Sequence, residues 1–390
     1  MKHNFIPLSV PNLKGNELKY VSQAVETEWV STGGPYVSEF EKKISEYVKC
    51  KGAVSCQNGT SGLHISLKIC GVERDDEVIV PTLTFIAAVN PVKYIDANPI
   101  FMDCDDSLSM DGDKLLEFCL NECSFQNGKL INNLTKKHVK AIVVVHIFGN
   151  MANLVKIMQV AKQFNLKVIE DATEAIGTYY TSGKYKGKYA GTIGDIGVYS
   201  FNGNKIMTTG GGGMIVSDNM DFLKRAKHLT TQAKSDELYY THNEIGYNYR
   251  MTNLQAALGL AQLEQLEDFI DTKKNNYEYY KIELNKVKGL KILDFDKNIR
   301  PNYWFYSLFI EDNYRLNRDE VIEYLYKNNI QSRPIWGLIN EQKPYLDYQC
   351  YKIEKAKKYI GKIVNIPCSS NLTKSDAEYV INSLKNIKKS

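Results

Sequence analysis

IGVYSFNGNKIMTTGGGGMIVS, residues 196–217, places one lysine between two short apolar stretches. Residues 196–201 alternate like a β-strand, and residues 213–217 predict a second strand after four consecutive glycines. Lys205 is therefore expected on the turn between these strands. A lysine amine can lose its proton and condense with a carbonyl, which arginine cannot do. Taken alone, Lys205 is better explained as an exposed surface lysine, so its meaning depends on the rest of the chain.

Strand and helix patterns alternate along much of the sequence. Strands are predicted at 77–80, 99–103, 141–147 and 166–171, and helices at 63–69, 84–94 and 154–164. This alternation is typical of an α/β fold, in which helices flank a mainly parallel sheet. We interpret the polar segment 107–137 as a surface insertion with one short helix.

The length of 390 residues favours two domains. We place the boundary near residues 287–293. Residues 1–285 would form a large domain that begins with a helical segment, and residues 286–390 a smaller C-terminal α+β domain. Within the smaller domain, strands are expected near 303–310 and 331–335, and helices near 319–327 and 374–388.

The composition is that of an ordinary globular protein. Hydrophobic residues make up 43% of the chain, charged residues 24%, and the formal net charge is +4. The lysines are interleaved with acidic residues, which argues against a nucleic-acid binder. We find no apolar run long enough to span a bilayer and no signal peptide, so we expect a cytoplasmic protein that does not bind membranes. The eight cysteines lack metal-ligand spacing, and we predict neither disulfides nor a metal site.

Two further features can accompany a reactive lysine. A turn at Gly59, Thr60 and Ser61 precedes a predicted helix, where free N–H groups and hydroxyls suit a phosphate, although a simple N-cap by Thr60 or Ser61 is equally consistent. Asp171 ends a predicted strand, and ligands of α/β proteins bind beyond the carboxyl ends of strands.

These features match the needs of a lysine Schiff base to pyridoxal phosphate. The cofactor needs donors for its phosphate, a carboxylate for its ring nitrogen and a flat partner for its ring. Thr60 and Ser61 would supply the phosphate donors, with Ser200 as another. Asp171 would face the ring nitrogen, and Phe85 would stack on the ring. A P-loop is excluded because the glycine run follows the lysine instead of preceding it.

Five motifs together resemble the DegT/DnrJ family of nucleotide-sugar aminotransferases: NGTSGL (58–63), PTLTF (81–85), EDA (170–172), SFNGNK (200–205) and GYNYRM (246–251). The resemblance covers nearly the whole chain, in order. It implies the fold of type I pyridoxal-phosphate enzymes, which are typically homodimers with shared active sites.

The resemblance also assigns roles to individual residues. Lys205 would carry the cofactor, Asp171 would pair with its ring, and Asn248 would reach the cofactor of the neighbouring subunit. Many members have histidine or glutamine three residues after the aspartate, whereas this chain has Glu174, which we count among the cofactor-binding residues. Family dehydratases have histidine in place of the lysine, so Lys205 favours transamination.

The form of the lysine motif resembles the subgroup that acts on N-acetylated 4-keto-6-deoxy hexoses in bacillosamine and legionaminic acid biosynthesis. A UDP-linked sugar, with L-glutamate as the amino donor, is therefore the first expectation. GDP-linked substrates of the perosamine route, a sugar 3-aminotransferase, and a pyridoxal-phosphate-binding regulator without turnover remain alternatives.

Overall fold

The computed structural model describes residues 4–236 and 238–387. Within these residues the α-helices are α1 (Glu17–Glu26), α2 (Pro35–Val48), α3 (Gly59–Ile69), α4 (Asn90–Tyr94), α5 (Gly112–Asn121), α6 (Leu154–Gln163), α7 (Met220–Thr230), α8 (Asn253–Leu263), α9 (Leu266–Leu284), α10 (Arg318–Lys327), α11 (Lys355–Ile360) and α12 (Lys374–Lys385). The strands are β1 (Gly52–Cys56), β2 (Glu77–Pro81), β3 (Asn98–Met102), β4 (Cys123–Gln126), β5 (Lys129–Asn132), β6 (His138–Val145), β7 (Lys167–Asp171), β8 (Tyr179–Tyr180), β9 (Ile196–Ser200), β10 (Gly213–Ser217), β11 (Lys234–Asp236), β12 (Thr241–His242), β13 (Leu290–Ile292), β14 (Ile299–Arg300), β15 (Tyr306–Ile310), β16 (Arg333–Pro334), β17 (Cys350–Tyr351) and β18 (Ile363–Ile366).

The central sheet confirms the predicted α/β class. Its strands run in the order β1-β10-β9-β7-β6-β2-β3-β17. From β9 to β17 each neighbouring pair is parallel, whereas β1, β10 and β9 pair antiparallel at one edge. Every residue of β2, β9 and β10 is buried, as expected for strands that are covered on both faces.

A smaller antiparallel sheet, β13-β15-β18-β16, lies in the C-terminal part of the chain. Helices α9 and α10 pack on it, and α12 packs on both helices. The same part of the chain also joins the main sheet, because β17 pairs in parallel with β3. The division into residues 1–285 and 286–390 stays a prediction.

Two predicted elements are wrong. The helix expected at 84–94 is broken into a 3-10 turn at Ile86–Ala88 and the short α4, because Pro91 has no N–H with which to continue an earlier helix. The segment 107–137 is not a surface insertion: it forms α5 and the hairpin β4–β5, and β5 pairs with β6 at the main sheet. The hairpin had a sequence signal in Asn127-Gly128, both of which adopt positive φ.

Among the described residues, no helix combines the length and apolar character that crossing a bilayer requires. The same residues contain no cluster of three or more histidine, cysteine or acidic side chains arranged to hold a metal ion.

Candidate active site

A cavity of about 340 Å³ opens where the parallel strands of the main sheet end. Val145, Asp171 and Ser200, the last residues of β6, β7 and β9, line one side of it. The rest of the lining comes from the start of α3, the segments after β2, β7 and β9, and the C-terminal part of the chain: Asn58, Gly59, Thr60, Leu63, Thr84, Phe85, Ala87, Ala88, Thr173, Glu174, Asn202, Asn204, Lys205, Trp304, Phe305 and Trp336. Six of the predicted site residues therefore meet in one cavity, whereas Ser61 and Asn248 do not line it.

Lys205 lies between a carboxyl group and an indole ring. Its Nζ is 3.6 Å from Oε1 of Glu174, and its side chain is only 13% exposed. The same nitrogen lies 4.1 Å from the ring centroid of Trp304. Lys205 is therefore not the solvated surface lysine that its type alone suggests, because it lines the cavity.

Asp171 presents a buried carboxylate at the end of β7. The residue is 4% exposed, and Oδ1 accepts the backbone N–H of Thr173 at 3.1 Å. Burial raises the pKa of Asp171, although the hydrogen bonds from Thr173 and the charge of Lys205 oppose this effect. A carboxylate in such a position suits a protonated ring nitrogen, since an opposite charge would offset its desolvation.

Glu174 is held from two sides. Its Oε2 accepts the backbone N–H of Phe148 at 2.8 Å, while Oε1 faces Lys205. Burial raises the pKa of Glu174 to about 7, against the charge of Lys205 and the hydrogen bond from Phe148. The carboxyl group can therefore take up or release a proton near neutral pH, which neither glutamine nor an exposed glutamate can do.

A buried network behind Asp171 was missed by the sequence analysis. The backbone N–H of His146 donates to the Asp171 carbonyl at 3.1 Å. Nδ1 of His146 accepts the N–H of Ala152, so Nε2 carries the ring proton and donates to Glu170 at 2.9 Å. Glu170 also accepts three backbone N–H groups from the segment before β9, those of Gly191, Ile193 and Gly194. The end of β7, and with it Asp171, is thereby fixed in place.

The start of α3 is capped by Asn58, not by Thr60 or Ser61 as the sequence suggested. Oδ1 of Asn58 accepts both the backbone N–H and the hydroxyl of Ser61, at 2.8 and 3.0 Å. The Ser61 hydroxyl is thus committed to the cap, which explains why Ser61 does not line the cavity. Thr60 and Ser200 do line it, beside the positive end of the helix dipole.

Two glycines allow α3 to approach the strand ends closely. A Cβ at Gly59 would lie 2.9 Å from Cγ2 of Thr173 and 3.2 Å from Cβ of Ser200. A Cβ at Gly213 would lie 2.6 Å from the carbonyl carbon of Asn58. None of the glycines 210–213 lines the cavity, and only Gly213, the first residue of β10, approaches Asn58 in this way.

Aromatic side chains form the remaining walls. Phe85 lines the cavity and is 55% exposed, so a ring can approach it. In the C-terminal part of the chain, the rings of Trp304 and Phe305 stack with their centroids 4.0 Å apart. The ring centroids of Trp336 and Phe148 lie 4.7 Å apart. The sequence analysis missed the tryptophans, although the run NYWFY at 302–306 was a signal of an aromatic wall.

Asn248 is exposed and forms an isolated antiparallel bridge with Thr231. It does not line the cavity of its own chain. Its predicted role, in the site of a neighbouring subunit, stays a prediction.

The residues present fit pyridoxal phosphate. The cofactor requires an amine, an acid for its ring nitrogen, phosphate donors and flat walls, and the cavity offers Lys205, Asp171, Thr60 with Ser200, and Phe85. A cavity at the carboxyl ends of parallel strands, with a half-enclosed lysine and buried carboxylates, defines the class of pyridoxal-phosphate enzymes that use a lysine.

The chain belongs to the DegT/DnrJ/EryC1/StrS aminotransferase family, because residues 11–385 match the sequence model of this family. It is 36% identical over 381 residues to a GDP-perosamine synthase of Escherichia coli O157:H7, covering 97% of this chain and 98% of that protein. It is 27% identical over 394 residues to a UDP-4-amino-4,6-dideoxy-N-acetyl-beta-L-altrosamine transaminase of Campylobacter jejuni, covering 98% and 97%. A DegT DnrJ EryC1 StrS aminotransferase from Brucella abortus has the same fold, with a TM-score of 0.84, 26% identity, and 95% and 94% of the two chains covered. The protein is therefore a pyridoxal-phosphate-dependent aminotransferase.

Proposed function

We propose that the protein transfers an amino group from L-glutamate to a GDP-linked 4-keto-6-deoxy hexose of the perosamine type, giving a 4-amino sugar for a surface polysaccharide. The observation that carries the proposal is the meeting of Lys205, Asp171 and Glu174 in one cavity. The choice of nucleotide is supported by the GDP-perosamine synthase, which is 36% identical over nearly its full length.

This substrate replaces the first expectation from the sequence. The lysine motif favoured a UDP-linked N-acetylated sugar of the bacillosamine or legionaminic acid type. The UDP-sugar transaminase is less similar to this chain, at 27% identity, than the GDP-perosamine synthase. The lysine motif surrounds the cofactor rather than the nucleotide, so it is a weak guide to the base.

When bound, pyridoxal phosphate supplies an electron sink for the negative charge that develops at the amino-bearing carbon. Asp171 keeps the ring nitrogen protonated, because its own burial makes a cationic partner favourable. Thr60, Ser200 and the first N–H groups of α3 hold the phosphate. Phe85, which lines the cavity, would provide the flat partner for the ring.

Lys205 moves the proton. Its amine Nζ would be the base that removes the proton from the α-carbon of the donor, and, once protonated, the acid that returns a proton; the same group would serve the half of the cycle in which the sugar C4 is aminated. Positioned proton transfer of this kind contributes roughly 10² to 10⁴ in rate. Glu174, whose Oε1 lies 3.6 Å from Nζ, holds the amine in place and exchanges a proton with it.

A homodimer with shared sites is part of the proposal. Several large apolar side chains near Asn248 are exposed in the single chain, among them Leu238, Tyr239, Tyr240 and Ile245. Such a cluster is typical of a surface that another chain covers. A mixture of Lys205→Ala and Asn248→Ala protomers should be more active than either variant alone, because the mixed dimer restores one intact site. Activity no greater than the sum of the two would contradict a shared site.

The substrate is tested by supplying the enzyme with pyridoxal phosphate, L-glutamate and a matched panel of GDP- and UDP-linked 4-keto-6-deoxy hexoses. We expect amination of the GDP-linked sugar at C4, identified by mass spectrometry and by NMR of the product. Turnover of UDP-linked sugars alone contradicts the substrate assignment. Amination at C3 contradicts the regiochemistry, and failure of L-glutamate to change the cofactor spectrum contradicts the donor.

A further inference from the structure

Three tyrosine rings surround His64, a buried residue of α3 that is 4% exposed. The ring centroids of Tyr247, Tyr94 and Tyr249 lie 4.9, 5.8 and 5.9 Å from that of the imidazole, and each ring meets it edge-on. We call these four side chains the His64 cluster. None of them lines the active-site cavity, so the cluster has no direct part in the site described above.

Apolar packing alone does not explain a histidine at this position. Nδ1 of His64 lies 3.4 Å from the hydroxyl oxygen of Tyr249, whereas Nε2 is buried and has no hydrogen-bond partner among the described residues. An unpaired buried polar atom costs stability that an apolar side chain would not cost. Burial lowers the pKa of His64 to about 4, and the charge of Lys68 acts in the same direction. The tyrosines therefore pack on a neutral, flat ring at physiological pH.

The backbone of Tyr247 and Tyr249 is fixed between two helices. The N–H groups of these residues donate to the carbonyls of Leu229 and Thr230, at the end of α7, over 2.7 and 3.1 Å. The carbonyl of Tyr249 accepts the N–H of Gln57, just before α3, at 2.7 Å. The position of this short segment along the chain of contacts is therefore set.

The two rings of this segment determine the direction of the residue between them. The rings of Tyr247 and Tyr249 stack with their centroids 5.1 Å apart and their planes 21° apart, and both contact His64. Successive side chains of an extended segment point to opposite sides. Asn248 therefore points away from the His64 cluster, and it is exposed.

His64 also lies on the helix that carries a phosphate donor of the chain's own site. Thr60 and His64 are four residues apart in α3, so they lie on one face, about 6 Å apart along the helix axis. Thr60 lines the cavity, whereas His64 contacts the segment of Asn248. The start of α3 is already fixed by the cap from Asn58. This favours an action of His64 on Asn248 over an action on Thr60.

We propose that His64 is a positioning residue, which through the two tyrosine rings aims Asn248 into the cofactor site of the neighbouring subunit. This inference rests on the shared site of the proposed homodimer. It makes the binding of the cofactor in one subunit depend on a buried ring of the other subunit, outside the cavity of either.

Cofactor affinity provides the first test. On titration of the cofactor-free protein with pyridoxal phosphate, the dissociation constant should rise about 10- to 100-fold in Asn248→Ala, the loss expected for one hydrogen bond to a charged group. His64→Leu, which lacks the flat ring, should show a loss of similar size, and His64→Phe, which keeps a flat ring, should retain most of the affinity. The double variant His64→Leu/Asn248→Ala should lose no more than Asn248→Ala alone, because both changes remove the same contact.

Mixed dimers distinguish the neighbouring site from the chain's own site. In a mixture of His64→Leu and Lys205→Ala protomers, the subunit that keeps Lys205 receives Asn248 from a partner whose His64 cluster is intact. Transamination should therefore exceed that of either variant alone. Thr60→Ala is the matched control on the same face of α3. It damages the site to which its own Lys205 belongs, so its mixture with Lys205→Ala should restore no activity.

Three results overturn the inference: unchanged cofactor affinity in His64→Leu, additive losses in the double variant, or no restoration in the mixture of His64→Leu with Lys205→Ala. The last result would assign His64 to its own site through α3. If Asn248→Ala and Lys205→Ala do not restore each other, the shared site itself is wrong and the inference falls with it. Restoration in that pair, but not with His64→Leu, overturns the inference alone.

Two further variants keep the test independent of folding defects. If His64→Leu does not fold, Tyr247→Leu removes the nearest ring contact from the other side and should give the same pattern of affinity and restoration. His138→Leu is the control for the loss of a largely buried histidine, because His138 is 21% exposed, pairs with Asp76 and does not line the cavity. Its cofactor affinity should be unchanged, and a loss equal to that of His64→Leu would overturn the inference as a general effect of stability.

Discussion

Lys205 illustrates how surroundings decide what a residue does. A glutamate carboxyl lies on one side of its amine and a tryptophan ring on the other, so the amine is both oriented and shielded from solvent. Lys205→Ala should abolish transamination, with a loss of at least roughly 10² to 10⁴-fold from proton transfer alone, and should remove the visible absorbance of the bound cofactor. The exposed Lys186 serves as a control, because Lys186→Ala should change neither quantity. Normal turnover in Lys205→Ala would exclude the proposed role.

The raised pKa of Glu174 leads to a prediction about the stability of the protein. Burial raises its pKa from 4.5 to about 7. Between these values the folded protein keeps a proton that the unfolded chain has released, so the free energy of unfolding falls as pH rises through this window. Glu174→Gln has no carboxyl group at this position and does not pay this penalty. The stability of the variant relative to the unmodified cofactor-free protein should therefore increase by on the order of 1 kcal/mol from about pH 5 to about pH 8.

Urea unfolding at both pH values measures this gain. Glu323→Gln is a suitable control, because the hydrogen bond from Lys327 lowers the pKa of the exposed Glu323, and this variant should gain nothing as pH rises. A gain that is the same at both pH values would show that Glu174 does not titrate in this window.

At the scale of elements, the first turn of α3 combines stability with cofactor binding. Asn58→Ala removes the cap of α3 and should cost about 1 kcal/mol of stability. It should also weaken the binding of pyridoxal phosphate, because Thr60 and the N–H groups of this turn lose their fixed positions. Asn153→Ala is the matched control: Asn153 caps α6 in the same way, by accepting a backbone N–H, but does not line the cavity. Denaturant midpoints and cofactor titrations should show a similar loss of stability in both variants and weaker cofactor binding in Asn58→Ala alone.

The sequence predicted elements where local pattern and tertiary environment agree. Strand β7 (Lys167–Asp171) has two β-branched apolar residues followed by two acids, so both the strand and the position of Asp171 at its end could be predicted. Pro91 and the Asn127-Gly128 turn carried local signals that contradicted the longer pattern, and the turn was overlooked. The contact of Trp304 with Lys205 had no such signal, because it joins residues 99 positions apart. Contacts of this length depend on packing, which a single sequence does not reveal.

At the scale of the molecule, the active site depends on how the C-terminal part of the chain meets the main sheet. Lys205, Asp171 and Thr60 belong to the main sheet and its helix α3, whereas Trp304 and Trp336 come from the C-terminal part. The N-terminal segment also reaches this part, through a parallel bridge from Ile6 to Ile330. A change that loosens the junction should therefore disturb the walls of the cavity.

Asp103 forms a buried polar link across this junction. It follows β3 and is fully buried, and it binds Nζ of Lys114 at 2.7 Å and the first N–H groups of α11, from Glu354, Lys355 and Ala356, each at 2.9 Å. Burial acts to raise the pKa of Asp103, but these donors outweigh it and the pKa is lowered. The carboxylate thus stabilises the fold above its ordinary pKa, and this contribution is lost as pH falls through the lowered value.

Asp103→Asn should therefore destabilise the protein by about 1.5 to 3 kcal/mol near neutral pH, since a buried charged hydrogen-bond acceptor is lost, and the difference should shrink in acid. Asp106→Asn is the control on the exposed side of the same helix. The Asp106 carboxylate is 79% exposed and contacts Lys355 and Tyr359. The loss of stability in this variant should therefore stay below about 1 kcal/mol. Urea unfolding across pH measures both variants. If the two variants lose the same stability, the link is an ordinary surface contact and the C-terminal part is held by β17 and apolar packing instead. A larger, acid-sensitive loss of stability in Asp103→Asn, accompanied by slower transamination, would establish that this buried carboxylate holds the C-terminal part in the position that the active site requires.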